Sequence, residues 1–208
     1  MDATPLPRPA AKTLLALAAL FALASCGQEP DTPAVSLEKG DARYVFKNAA
    51  GQPMLAYQYA TYPAPEGQDP AFARSGFFHP VYAPNGQRLT QIQPADHYHH
   101  YGIWNPWTHT RFRGEIVDFW NLAKKQGTVR FAKELARETT PDHALLSVLH
   151  EHVVFGPDGS ETVALLEQQD SRVSPGDEPD SYLWDLSFQY RCATDDPLEI
   201  VEYRYGGL

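Results

Sequence analysis

The sequence contains only two cysteines among 208 residues, Cys26 and Cys192. Cys26 lies in a segment with the features of a lipid-modified leader, described below, so Cys192 has no partner for a disulfide. The fold therefore cannot depend on a disulfide for its stability. Cys192 continues an alternating apolar pattern that begins at Leu186, which predicts a buried side chain and not a nucleophile.

Basic residues are scarce as well, since 17 lysines and arginines stand against 26 aspartates and glutamates, for a formal charge of −9. Nucleic acids and anionic lipid surfaces attract proteins through clusters of positive charge. The charge balance therefore indicates that nucleic acid is not a partner of this chain. It also argues against peripheral binding to an anionic membrane surface.

Long apolar runs are missing after residue 26, whereas a helix needs about twenty apolar residues to span a bilayer. Before that point, Arg8 and Lys12 precede an apolar stretch at 13–24, which is too short for such a span. A basic start, a short apolar run and small residues before a cleavage point predict a secretory signal peptide at residues 1–25.

The end of this leader, residues 23–26 (LASC), resembles the lipobox of bacterial lipoproteins. The resemblance implies cleavage before Cys26 and a diacylglycerol on its sulfur, so that acyl chains anchor the protein to a membrane. Residues 26–40, rich in proline, glutamine and acidic side chains, are predicted to form a lipidated tether. The expected location is outside the cytoplasm, in the cell envelope, and by the same resemblance Gly27 favours the outer membrane.

Helical periodicity is weak, and short alternating runs between glycine and proline turns fill residues 41–208. Two hairpins are predicted, with strands at 43–47 and 54–59 and at 144–155 and 161–168. Residues 131–137 fit a helix or a strand, and residues 173–180 are predicted to be an exposed loop. Together these runs predict an all-β fold, an antiparallel β-sandwich. A strand-like run reaches the end of the sequence, so we expect this sandwich to be C-terminally incomplete.

The segment that follows Pro94 differs in composition from the strands. Three of the eight histidines, His97, His99 and His100, lie within four residues, directly after Asp96. Burying so many polar rings is unfavourable unless each finds a partner, so the segment is predicted to be a site rather than a core strand. Further polar and aromatic residues follow within the next twenty positions: Trp104, Trp107, Glu115, Asp118 and Trp120.

Three interpretations of this segment remain open. In the first, His97, His99 and an acidic residue such as Asp96 bind a divalent metal. In the second, the histidines carry out acid–base chemistry because imidazole titrates near neutral pH, and a nearby carboxylate assists them. In the third, the segment is a polar loop whose histidines bond to backbone and water. The residues assigned to the acid–base interpretation are His97, His99 and His100 with Glu115 or Asp118, and Trp104, Trp107 and Trp120 as surfaces that stack on a sugar.

Three histidines outside this segment are weaker candidates. His79, which precedes Pro80, is a possible substrate contact, although a lone histidine at such a position is more often structural. His150 and His152 alternate along a strand with Glu151 between them. This pattern favours a solvated sheet face for both histidines.

Several motifs of the chain resemble, in order, those of a family of bacterial proteins labelled PmoA, "methane oxygenase". The resemblance runs from about Tyr44 to the end and implies a β-sandwich, while the label implies a metal-dependent oxidative enzyme. More loosely, the segment is similar to the mutarotase-like supersandwich, in which histidines and a carboxylate exchange protons with a sugar. The motifs are Phe78-His79-Pro80-Val81-Tyr82, Pro84-Asn85-Gly86, Asp96-His97-x-His99-His100-x-Gly102-Ile103, Asp118-Phe119-Trp120 and Gly127.

The preferred hypothesis is an envelope lipoprotein whose β-sandwich acts on a carbohydrate through the histidines, as an epimerase, lyase or hydrolase. The first alternative is a metal-dependent oxidative enzyme with histidine and carboxylate ligands. The second is a lipoprotein that binds a glycan without catalysis. All three hypotheses predict a soluble domain behind a lipid anchor. The preferred hypothesis and the glycan-binding alternative also predict a carbohydrate ligand.

Overall fold

The computed structural model describes residues 1, 32–178 and 180–204. The predicted signal peptide, Cys26 and its lipid, the first part of the tether and residues 205–208 lie outside the described residues. Within the described residues, no helix is long and apolar enough to cross a membrane. Two 3₁₀ turns, Pro70–Phe72 and Leu122–Lys124, are the helical elements of this part of the chain.

In the described part of the chain, eleven strands form three antiparallel sheets, ordered β1-β2-β3-β4, β10-β9-β8-β7 and β11-β5-β6. The predicted all-β antiparallel sandwich is confirmed. In chain order the strands are β1 Val35–Lys39, β2 Arg43–Asn48, β3 Pro53–Gln58, β4 Phe77–Val81, β5 Thr110–Phe112, β6 Glu115–Val117, β7 Gly127–Thr139, β8 Ala144–Phe155, β9 Glu161–Pro175, β10 Tyr182–Cys192 and β11 Leu198–Ile200.

The core lies between the first sheet and one face of the second, because both sheets carry apolar side chains at alternate positions. Leu146 and Val148 of β8 pack against Tyr44, Phe46 and Leu55 of the first sheet, and all of these side chains are buried. A second cluster, formed by Phe112, Val117, Phe119, Val129 and Ala164, joins the third sheet to the other end of the same β7–β10 sheet. The long strands β7, β8 and β9 therefore serve both clusters.

Both predicted hairpins are present, as β2–β3 and β8–β9. The segment that fitted a helix or a strand is part of β7, which pairs along its length with β8. β9 continues to Pro175, so the exposed loop predicted from residue 173 is wrong at Val173. That side chain is fully buried because it belongs to the core cluster that also contains Ala144 and Leu146 of β8.

Two further differences concern the ends of the domain. β1 lies inside the predicted tether, and its pairing with β2 shows that the chain is folded from Val35 onward. Cys192 is exposed, so the prediction of a buried side chain is wrong. The reason is that β10 is an edge strand whose last four residues, 189–192, are all exposed.

Candidate functional site

The three neighbouring histidines lie in a closed loop of turns, residues 93–100, which we call the histidine loop. Backbone hydrogen bonds close it: Gln93 N–H donates to the carbonyl of His100 (2.8 Å), and His100 N–H donates to that of His97 (3.0 Å). Strand alternation would send neighbouring side chains to opposite faces. The turns instead bring all three imidazoles together.

The imidazoles of the histidine loop are in mutual contact. The His100 ring centroid lies 4.8 Å from that of His97 and 4.6 Å from that of His99, and the other two are 5.7 Å apart. Asp96 Oδ2 lies 3.1 Å from His97 Nδ1, so a carboxylate orients this ring. The His97 side chain is 50% exposed, which makes it the ring most accessible from solvent.

Two of these histidines are biased toward the neutral form. Partial burial lowers the pKa of His99, and the neighbouring His100 and His97 lower it further. Partial burial and His97 likewise lower the pKa of His100, against a smaller opposing effect of Asp96. At neutral pH these rings are therefore able to accept a proton or a hydrogen bond.

Trp120 borders the histidine loop, and Trp104 lies on the far side of Trp120. The Trp120 ring meets His100 edge-on at 6.1 Å, and the Trp104 ring lies 4.9 Å from Trp120. Trp107 is in a different place, 8% exposed and stacked on His152 at 5.2 Å. Of the three predicted sugar-stacking tryptophans, Trp120 lies beside the histidines, Trp104 is one ring further away, and Trp107 is part of the core.

The loop is attached to strand β4 through Gly102. Phe78 and Ile103 exchange both backbone hydrogen bonds, with N···O distances of 2.8 and 3.1 Å. Gly102 has φ +55°, and a Cβ at this position would lie 2.2 Å from the carbonyl oxygen of Phe78. Only glycine allows this approach, which carries the adjacent Tyr101 into the core.

Asp118 holds the turn that carries Trp120. Its side chain is buried and accepts hydrogen bonds from Trp120 N–H (2.9 Å) and Asn121 N–H (2.8 Å) and from Lys124 Nζ (2.7 Å). Burial raises the pKa of Asp118, but the bonds from Lys124 and Asn121 outweigh burial and lower it. The carboxylate is therefore engaged in positioning this turn.

The other predicted side chains lie apart from the three imidazoles. Glu115 is exposed on β6, and among the described residues no hydrogen bond, ion pair or ring contact joins it to the histidine loop. His79 lies at the base of the loop, with Nδ1 2.9 Å from Thr90 Oγ1. Burial lowers the pKa of His79, and Arg88 and Arg43 add to the effect.

The sequence interpretation missed a buried polar network on the inner face of β8 and β9. His150 donates from Nδ1 to Glu167 Oε1 (2.9 Å), and His152 donates from Nε2 to Glu167 Oε2 (2.8 Å). The Tyr57 hydroxyl is bonded to Nε2 of His150. Both histidines are buried, so the predicted solvated face is wrong. They share a face with Leu146 of β8 and find their partner across the strand pair.

The hairpin register is the sequence signal that could have revealed this network. The turn at residues 156–159 sets His150 directly opposite Glu167 and His152 opposite Leu165. Burial raises the pKa of Glu167, but the hydrogen bonds from the two histidines outweigh it and bring the pKa to about 2. Burial lowers the pKa of His152, against the opposing effect of Glu167. The network thus contains an ionised carboxylate.

Metal binding by the predicted set Asp96, His97 and His99 finds no geometric support. Within residues 32–178 and 180–204, no group of three or more His, Cys, Asp or Glu side chains is arranged to hold a metal ion. The acid–base and ligand-binding interpretations do not require such a group. They require accessible imidazoles and aromatic surfaces, which the histidine loop provides.

Comparison with known proteins identifies a family but no activity. The model of a family of unknown function, DUF6807, matches residues 46–208. This match overturns the resemblance drawn from the sequence motifs, because nothing shows a PmoA or methane oxygenase domain. No curated protein and no solved structure matches the chain.

Proposed function

We propose that this chain, which belongs to the family of unknown function DUF6807, acts on a carbohydrate through acid–base chemistry at the histidine loop. The observation that carries the proposal is the contact of three imidazoles with one another, together with the contact of one of them, His100, with Trp120. Two of the rings, His99 and His100, have a lowered pKa and are available as bases at neutral pH.

The three rings are suited to complementary roles. His99 or His100, being neutral, accepts a proton from a sugar hydroxyl or from a carbon next to a carbonyl group. His97, which has a carboxylate neighbour in Asp96 and is the most exposed ring, returns a proton to the sugar. Epimerisation, elimination and hydrolysis all use such a pair, so the arrangement supports the class of chemistry rather than one reaction.

The tryptophans supply the binding surface of the proposed site. A sugar ring has an apolar face of C–H groups, and an indole ring offers a large flat surface with little conformational freedom to lose. Trp120 and Trp104 are both partly buried, so each indole keeps part of its surface accessible to a ligand. They favour a ligand that lies across them with its hydroxyl groups toward the imidazoles.

The proposal is tested by screening monosaccharides and oligosaccharides for product formation by NMR and for binding by calorimetry. Replacing both His97 and His99 with alanine should lower turnover at least about a hundredfold, because general acid–base catalysis contributes about that much. His143→Ala is the matched control, since this histidine lies in the β7–β8 turn and bonds to Thr140. Unchanged turnover in the double variant would exclude the histidine loop as the catalytic centre.

Binding without product in the same screen would favour the non-catalytic alternative. The pair of adjacent tryptophans is the observation that supports this second candidate, because stacking alone is enough to bind a sugar. In that case Trp120→Ala should abolish binding, and the histidine variants should only weaken it.

We also propose that the protein is exported and anchored to the cell envelope through a lipid on Cys26. The support is the order of a basic start, a short apolar run and the residues 23–26 (LASC). A lipid anchor would hold the folded domain at a membrane surface without a spanning helix. Gly27 favours the outer membrane as the expected location.

A further inference from the structure

Arg74 is a buried cation without an ion-pair partner among the described residues. Its side chain is 3% exposed, and Nε donates to the carbonyl oxygen of Ser75 (3.2 Å). Nη1 is buried and has no hydrogen-bond partner within residues 32–178 and 180–204. No hydrogen bond or ion pair among the described residues joins the guanidinium to the buried carboxylate of Glu167. Burial lowers the pKa of Arg74, and the charge of Glu167 acts in the opposite direction and raises it.

The guanidinium of Arg74 belongs to the tryptophan side of the proposed site. It lies 4.6 Å from the ring centroid of Trp104 and 5.5 Å from that of Tyr101. Trp104 in turn lies 4.9 Å from Trp120, which borders the histidine loop. The charge is thus one side chain removed from the aromatic surface that would hold a sugar.

The charge of Glu167 partly compensates this cation, but Nη1 has no acceptor among the described residues. Removing a guanidinium from water is unfavourable, and buried charges in proteins are nearly always paired or bound to a ligand. Stacking on Trp104 and Tyr101 stabilises the cation through the ring electrons but provides no acceptor for Nη1. An acceptor supplied by a ligand would complete the hydrogen bonding of this side chain.

We infer that the ligand of the proposed site is an acidic sugar, and that Arg74 recognises its carboxylate. The inference rests on the proposed function, because it concerns the substrate class of the same site. The planar guanidinium matches a carboxylate with two parallel hydrogen bonds. A shift of the partly exposed Trp104 side chain is the movement that would admit the carboxylate.

The overall charge of the chain bears on the selectivity of the proposed site for acidic over neutral sugars. At a formal charge of −9, the protein as a whole repels an acidic ligand. The positive charge of the buried Arg74 attracts an acidic ligand locally, at the proposed site. Neutral sugars would gain the stacking on Trp120 but leave Nη1 without an acceptor, so they should bind less tightly than acidic sugars.

The test compares oligogalacturonides with their methyl esters, which keep the ring and remove the charge. Calorimetry on the full chain should show that the acid binds about tenfold to a hundredfold more tightly, as expected for a hydrogen bond between charged groups. Arg74→Gln should abolish this preference, and Arg74→Lys should keep part of it. Arg111→Gln is the control, since Arg111 is exposed and paired with Glu199 at 3.0 Å.

The wild-type comparison decides the matter even if the Arg74 variants fail to fold. Equal affinity for acid and ester would overturn the inference and leave the proposed function in place. A preference for the acid that survives in folded Arg74→Gln would also overturn it, because another residue would then recognise the carboxylate. Absence of any sugar binding or turnover would instead overturn the proposed function, and the inference with it.

Discussion

Glu167 remains ionised inside the sandwich because two histidines of the neighbouring strand donate to it. Each carboxylate oxygen has its own imidazole, and hydrogen bonds to a charged group are stronger than bonds between neutral groups. Together they outweigh the burial of the side chain, which alone would raise the pKa. The carboxylate and its partners therefore stabilise the fold as one unit.

Replacing Glu167 with glutamine should destabilise the protein by about 3 kcal/mol, since it leaves buried donors without a charged acceptor. Urea unfolding followed by circular dichroism measures the loss. Glu199→Gln is the control, because that carboxylate is exposed and pairs with Arg111 at the surface. Similar unfolding midpoints for the two variants would contradict the role assigned to the network.

The same carboxylate should make the stability depend on pH. Its pKa is lowered from 4.5 to about 2 in the folded protein, so its contribution is present above pH 4.5 and lost as the pH falls toward 2. The pKa of His152 is also lowered, so the folded protein loses stability as the pH falls below 6.5, the ordinary pKa of histidine. The urea midpoint should therefore decrease on acidification, and Glu167→Gln should remove the part below pH 4.5.

At the scale of elements, the attachment of the histidine loop to β4 depends on one glycine. Gly102→Ala would place a Cβ against the carbonyl of Phe78, so we expect a loss of about 3 kcal/mol in stability and of sugar binding. Gly86→Ala is the matched control, with φ +84° and nothing within 4 Å of the added Cβ. It should lose about 1 kcal/mol from the positive φ alone. Equal effects in unfolding and binding would show that the contact with Phe78 is unimportant.

The strands were largely predictable, whereas the surroundings of single side chains were not. Alternation and turn residues located the β8–β9 hairpin because these are local signals. The same alternation could not show that His150 lies on the buried face, because both faces of β8 carry apolar residues and histidine suits either. Arg74 lies in a loop rich in proline and glycine, where no periodic pattern indicates burial.

The sequence showed which residues form the candidate site, but it did not show how their side chains come together. The sequence located the three histidines with Trp104 and Trp120, because polar rings in that density are unusual in a strand. Their convergence depends on turns fixed by a distant contact with Phe78, which spacing does not reveal. Trp107 was indistinguishable from the other tryptophans by sequence, since its burial comes from stacking on His152 of another strand.

At the scale of the whole molecule, the proposed membrane anchor can be tested with the two cysteines. In a Gram-negative host fed an alkyne fatty acid, the wild-type chain should be labelled and should enter the detergent phase on Triton X-114 partitioning. Cys26→Ala should lose both properties, because the acyl chains would have no attachment point. Cys192→Ala should keep both, and label on the Cys26 variant would contradict the anchor.

The polar network also has a consequence for how the central hairpin selects its alignment. A slip of one residue between β8 and β9 would turn every core side chain outward, but a slip of two would keep the apolar faces matched. The slip of two that sets Val148 opposite Glu167 would leave this carboxylate as an unpaired charge in the interior. The network therefore destabilises a misaligned β8–β9 hairpin whose apolar faces would still match, and in this way it favours the native strand register.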